Sequence, residues 1–525
     1  MSLVSLGIDG ALHEQESPGI IYPIQSIHPR FMDLLGRLKT TLHQNIYDAD
    51  FEYGPQPLRW ESLTLNGGAQ LHLPQEGGVR LSVPTTANAV SIRQSRPYHR
   101  YQPGKTMLMA SFVLMDPAVV GNRQRCGFFD DTNGVFFEQG DPDLTPRPNN
   151  LGPRNPSGMS VVRRTDNDGT IQEERVPLQD WSGNKDIIYK LNWDRPQMIW
   201  IAYTYYGGGS VQYGCYLEGQ PHILHEIHWG NRANVIRPWA RTGNLPVRYE
   251  TRNINATSVG SSMVHYGVSV IVDGGIDEQR GGTYSYGMAL QTPRRTVSAN
   301  TIRFPVLSIR MRTMGTLEYT QATQPLTAGT TGSATVGAAS WATDQWRGRH
   351  FNYFVGGVSY MGRITGNNAT TLTLVDPITG GPLAVAPVAG QPFTIGLINR
   401  GQLLPRRLML ASDGLAQLEF ILSTPSSPVL LTGANFQPLA QLGSPNSFAE
   451  RDVSATAYVS GGEVVKASPL PFGGSGLQEL SLAELFPLYT NIRGTVTDTL
   501  TLAVTTQAGQ AANVGATFDA QEAMS

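Results

Sequence analysis

Cys126 to Glu138 reads CGFFDDTNGVFFE: two aromatic runs flanking Asp130-Asp131-Thr132-Asn133-Gly134. Short apolar runs on either side of a cluster of Asp, Asn and Gly are the pattern of two antiparallel strands joined by a tight turn. The device recurs from Ser160 to Arg175, with Asn167-Asp168-Gly169 at the turn. Working outward, Leu63, Leu65, Leu71, Leu73, Val79, Leu81 and Val83 alternate with small or polar residues, the period of half-buried strands. Met107 to Met115 (MLMASFVLM) reads as a wholly apolar strand. Met198–Tyr206, Val211–Glu218 and His222–Trp229 follow as a meander with Gly-rich corners, and further strands fall near 247–251, 265–272 and 305–312. Many short strands with regular turns and no intervening helical pattern predict an all-β, jelly-roll-like β-sandwich.

Residues 314–398 have a different texture: a Thr/Gly/Ala run, then Ser340-Trp341 and Asp344-Gln345-Trp346, then Asn367 to Leu374. They predict a small inserted β module with its own aromatic set, Trp341, Trp346, Phe351, Tyr353, Phe354 and Phe393. The expected division is therefore 1–59 (arm and helix), 60–313 (sandwich), 314–398 (module) and 399–525, which either completes the sandwich or forms a second one. Ahead of the strands, 1–29 reads as an irregular arm. Phe31, Leu34, Leu35, Leu38, Leu42 and Ile46 then make a helical stripe; the subset Phe31, Leu35, Leu38 and Leu42 steps at heptad spacing and predicts an oligomerisation helix.

Composition narrows function. The chain has 525 residues, 15% of them charged, a net charge of −2, and 57 Gly with 35 Pro. That balance argues against a nucleic-acid-coating protein. Apolar stretches are too short for a membrane-spanning helix, and no signal-peptide layout is present. Lys39, Lys105, Lys185, Lys190 and Lys466 are the only lysines, so nearly all positive charge is Arg, the residue suited to planar, bidentate pairing in buried networks and interfaces. Two cysteines, Cys126 and Cys215, make no disulfide framework, which fits maturation in a cytosol.

Two stretches carry a resemblance. Arg123 to Phe129, Gly134 to Phe137, Leu191-Asn192-Trp193-Asp194, Val211 to Gly214 and Leu245 to Glu250 resemble structural proteins of tailed bacteriophages and some large viruses. The Ser-Trp…Asp-Gln-Trp-x-Gly and Asn-x-Ala-Thr-Thr-Leu-Thr-Leu patterns of 314–398 are similar to small β repeats of phage tail and fibre proteins. A Pro- and Asn-rich loop, Asp141 to Pro156, departs from the pattern. The resemblance implies a non-enzymatic virion component, of tail, baseplate, neck or attached fibre, assembled in the host cytoplasm with other virion proteins. It implies a homo-oligomer, a trimer before other states. The alternatives are a capsid decoration or head-fibre protein, a receptor-binding lectin-like protein, and a glycan depolymerase.

The chemistry-bearing residues are few. His222, His225 and His228 form the one metal candidate, a weak one, because alternation on a strand would turn His225 away from the other two. Asp130/Asp131 and Glu173/Glu174 sit at turns or strand ends, where solvation accounts for them. Asp166 to Gly169 misaligns with a calcium loop, Gly473 to Gly476 is not a nucleophile elbow, and no phosphate-binding loop is present. No catalytic residue and no cofactor is expected. Trp200, Tyr203 and Tyr205 crowd one strand and could stack on a host surface glycan.

Overall fold

The computed structural model describes residues 4–6, 12–14, 43–146, 152–167, 169–232, 235–274, 282–288, 294–320, 325–444, 446–470, 478–483 and 485–523. The protein is all-β, with antiparallel pairing throughout two sandwiches and a single-sheet module. Among the described residues the single α-helix is Lys185–Lys190, started by Asn184, whose side chain accepts the Asp186 N–H.

In the first sandwich a seven-stranded sheet packs on an eight-stranded one. The seven run in the order Gln172–Pro177, Met159–Thr165, Gly134–Gln139, Asn122–Phe129, Val247–Asn253, Val90–Ser95, Trp60–Leu65. The eight-stranded sheet is centred on Met107–Met115, between Gln197–Tyr203 and Ser261–Asp273. Phe129 pairs with Gly134 across the DDTN turn, as its residues predict. Asp130 closes that turn by accepting the N–H groups of Thr132 and Asn133. Inner faces meet through Cys126, Phe128, Phe137 and Tyr249 on one side and Met107, Met109, Ile199 and Tyr213 on the other. Both cysteines are buried and unpaired.

Strand pairing divides the chain differently from the sequence reading. The strands from 282 to 311 leave the first sandwich and pair with those from 402 to 523. In one sheet Gly282–Gly287 and Gln402–Ser412 flank Ala512–Ala523, and in the other Phe304–Met311 and Ala416–Ser423 flank Thr499–Thr506. A second sandwich thus forms around its own core, including Leu307, Phe420, Leu502 and Phe518. Local pattern cannot reveal this, because a strand's period is silent about which distant strand completes its ladder.

The seven strands of 319–396 form a separate sheet whose core contains Trp341, Trp346, Phe351, Tyr353 and Phe393; Phe354 is half-buried outside it. Its two ends are tied side by side, with the Asn399 N–H donating to Thr313 and the Gly315 N–H to Leu397. The module is therefore an insertion within the second sandwich.

Two expectations for the N-terminus change. Val4–Leu6 pairs with Leu12–Glu14, where an irregular arm was expected; three-residue strands are too short to show a period. Ile46, the last member of the helical stripe, lies in the strand His43–Ala49, which pairs with Ser261–Asp273. There Tyr47 and Ala49 are buried while Asp48 is exposed, a period of two set by the sandwich edge. Phe31, Leu35, Leu38 and Leu42 lie outside the described residues. The Asp141–Pro156 loop carries a small hairpin, Asp143–Pro146 with Pro153–Asn155.

Candidate functional site

The outer face of the seven-stranded sheet is a ladder of charge. Glu250, wholly buried, lies 3.0 Å from Arg125, 2.9 Å from Arg248 and 3.3 Å from Arg252. Glu138 takes Arg125 and Arg175, each at 2.7 Å. Glu173 pairs with Arg164 and Arg175, and Asp131 with Arg248, whereas Glu174 meets Arg163 and Arg232 on the opposite face, beside Trp229. The pattern follows from register: Glu250 faces Arg125, and Arg125 faces Glu138, so cross-strand neighbours on one face carry opposite charge. Phe129, Phe136 and Val162 sit among them, with Arg164 lying 5.0 Å from the centre of the Phe136 ring.

Electrostatics decide what these carboxylates can do. Burial pushes Glu250 up, but Arg248, Arg252 and Arg125 outweigh it and hold the group well below the ordinary range. Glu138 behaves alike, its burial outweighed by Arg125 and Arg175. Glu173, opposed first by burial and then lowered by Arg164, Arg125 and Arg175, falls to about 2. A general acid needs the opposite shift. These groups stay ionised and act as ties.

The same face is where the three bodies meet. Val90 and Ile92 of the first sandwich, Ile378 of the module and Ile492 of the second sandwich form one small apolar cluster. Around it Arg96 grips Asp498, 402 residues away, with both side chains buried. Arg493 lies 3.0 Å from Asp376, Arg363 donates to the Gly169 carbonyl at 2.9 Å, and Arg252 donates to Ile378 O at 2.6 Å. The second hairpin turn is itself a contact. A Cβ on Gly348 would come within 2.4 Å of the Gly169 Cα, so the backbones touch where only glycine fits. Glu61 accepts the Ile492 N–H, and burial, only partly offset by that bond, raises its pKa to about 7.

Beside the joint the two sandwiches leave a cleft of about 440 Å³. Its walls include Tyr47 and Arg59 from the first sandwich, and Gln402, Arg406, Phe486 and Tyr489 from the second. Among the described residues lining it, none is Asp or Glu. The Arg59 guanidinium lies 4.7 Å from the Tyr47 ring centre, with Asp48 3.6 Å away at the surface. Arg406 rests on a neutral acceptor, Gln521 Oε1. Phe486 is exposed and Tyr489 buried. Reciprocal backbone bonds between Leu403 and Leu488 tie the Gln402–Ser412 strand to the segment bearing Phe486 and Tyr489.

No protein-family profile matches this sequence, and no curated protein does. Solved structures that align with part of it include a glycoside hydrolase family protein from Mycobacterium thermorestibile (11% identity, TM-score 0.29, 43% of this chain and 99% of that one). The Bacillus licheniformis β-glucanase aligns at 11% identity and TM-score 0.25, over 45% of this chain and 98% of its own. Peanut lectin aligns at 11% and 0.24, over 43% and 97%. The fold assignment rests on the strand pairing given above.

The residues singled out in the sequence lie elsewhere. Tyr203 is wholly buried and donates to Gly243 O at 2.6 Å; Tyr205 donates to Ala240 O at 2.9 Å and packs on Trp239. Trp200 lies flat on Gly214, where an added Cβ would come within 2.1 Å of its ring, and it is buried. Trp200 and Tyr203 are thus occupied by cross-strand approach and core packing, and Tyr205 is half-buried against Trp239. His225 is held by Ser182, whose backbone N–H donates to Nδ1 at 3.0 Å, and the exposed His228 sits 3.7 Å from Glu226. A register shift at Leu224 pairs His225 with Tyr213 and His222 with Cys215, so those two histidines share a face, contrary to simple alternation. Among the described residues no three His, Cys, Asp or Glu side chains converge as a metal site. No described helix is long and apolar enough to cross a membrane. Sequence reading missed both the Arg96–Asp498 joint and the cleft, whose walls are hundreds of residues apart; the bias toward Arg was the one available signal.

Proposed function

We propose that this chain is a non-enzymatic structural component of a tailed-bacteriophage particle, at the tail, baseplate, neck or an attached fibre, and that it works by assembly. The observation that carries this reading is the joint: three bodies tied by buried Arg–carboxylate contacts make a preset block. On the broad sheet Glu138, Glu173 and Glu250 are spent on arginine and stay ionised. Such a block buries surface against neighbours without rearranging. Mass spectrometry of purified particles should find the chain at a fixed stoichiometry, and sedimentation of the purified protein should show a closed oligomer, a trimer before other states. A chain absent from particles and sedimenting only as a monomer would sink this reading.

A second reading, attachment to a host glycan, is favoured by the cleft between the sandwiches. Aromatic rings beside guanidinium and amide donors suit sugar binding, and among the described residues lining the cleft none is a carboxylate, which favours binding over hydrolysis. Glycan capture without cleavage of the captured oligosaccharide is the expected result.

A further inference from the structure

We propose that the cleft between the two sandwiches binds a carboxylate-bearing saccharide, clamped by Arg59 and Arg406 and covered by Phe486. This deepens the glycan-attachment reading and rests on it. Four observations carry it.

The space, about 440 Å³, falls in the roughly 300–1,000 Å³ range of small-molecule sites. Its charge is one-sided: the lining has arginines and no described carboxylate. Asp48 is the near acid, and it meets Arg59 only at 3.6 Å on the exposed side. Arg406 is oriented by a neutral amide, Gln521, which fixes the guanidinium plane without cancelling its charge. A planar guanidinium so held matches a carboxylate's two oxygens.

The walls also fit the rest of a sugar. Phe486 presents an exposed ring to the cleft, a surface that the C–H face of a pyranose can cover. A bare phosphate would leave that ring wet. Asn45 and Gln402 place amides for hydroxyl groups; Gln402 Nε2 is anchored on Tyr98 O at 3.2 Å. The site is preformed: the Leu403–Leu488 bonds fix the second-sandwich wall, and the buried Arg96–Asp498 pair holds that wall against the first sandwich.

The test is calorimetric titration of the full-length protein with trigalacturonate and sialyllactose, against their neutral counterparts α-1,4-galactotriose and lactose, with an oligoglutamate peptide as a third class. At least one acidic sugar should bind about tenfold or more tighter than its neutral counterpart, and more weakly as salt rises. R406Q should weaken binding about tenfold or more, and F486A several-fold. R310Q, on the Glu450 pair of the second sandwich, should change nothing. Melting curves of each variant confirm that the block still folds. Equal binding of acidic and neutral sugars would overturn the charge selection while leaving glycan attachment standing. Tighter binding of the peptide would overturn the saccharide assignment. Acidic-sugar binding that ignores both R406Q and F486A would move the site out of the cleft. No saccharide binding at millimolar concentration would overturn this proposal and the glycan-attachment reading together.

Discussion

The two sheets of the first sandwich turn opposite faces to their surroundings. The outer face of the seven-stranded sheet carries Arg125, Glu138, Arg248 and Glu250, and all four are buried. The outer face of the eight-stranded sheet carries Phe112, Met198 and Tyr216 in one cross-strand row, and all three are exposed. Charge lies inside and apolar surface outside, the reverse of a hydropathy forecast. The charged face succeeds because register gives each buried ion a partner, and because two further bodies cover it. A buried charge is tolerated when paired and is costly when its partner is removed. An exposed apolar side chain on a sheet needs no such condition.

The comparison predicts sharply unequal responses. Arg125→Ala leaves Glu138 and Glu250 short of a buried partner and should cost about 3–5 kcal/mol, read as the denaturant midpoint of the first unfolding step. A loss below about 1 kcal/mol would mean that the ladder contributes little. Acid should act through the same groups. A carboxylate held below its ordinary value stabilises the fold above about pH 4.5 and loses that contribution as pH falls toward the folded value, about 2 for Glu173. Unfolding should therefore develop between about pH 4.5 and pH 2, and at higher pH in Arg125→Ala than in the parent.

On the opposite sheet, Gly214→Ala forces a methyl group into the Trp200 ring and should cost about 1–3 kcal/mol by thermal melting. Glu61→Gln should stabilise, and only at neutral and alkaline pH. Glu61 has a folded pKa raised to about 7 against 4.5, so it favours the fold below pH 4.5, and that contribution is lost as pH rises through 7. Gln keeps an acceptor for the Ile492 N–H and should gain on the order of 1 kcal/mol at pH 8, with no gain at pH 4. Phe112→Ser, on the exposed row, should change stability by less than about 0.5 kcal/mol. A larger loss would show that the open face is covered in the assembled protein.

Some of this was legible in local chemistry. The DDTNG turn has one good solution, a hairpin, because Asp130 can cap its own turn and Gly134 can take a φ of 145°. The period-two alternation from Leu63 to Val83 fixes strands, and the aromatic set of 319–396 suffices for a separate core. The taste for Arg over Lys foretold buried planar ion pairs without saying where.

Long-range pairing was not legible. Met107–Met115 reads as uniformly apolar, yet only alternate residues enter the core, and Phe112 ends in the open because no strand's sequence records what covers its second face. Trp200, Tyr203 and Tyr205 look like a sugar-stacking set until Gly214 and the core occupy the first two and Tyr205 is half-buried against Trp239. The composition and turns of the chain determined an all-β protein with an inserted module. Which strands complete the second sandwich, which charges are buried, and where two walls leave a cleft were decided only in three dimensions. Those outcomes depend on partners such as Arg96 and Asp498, 402 residues apart, whose attraction exists only after the chain has brought them together.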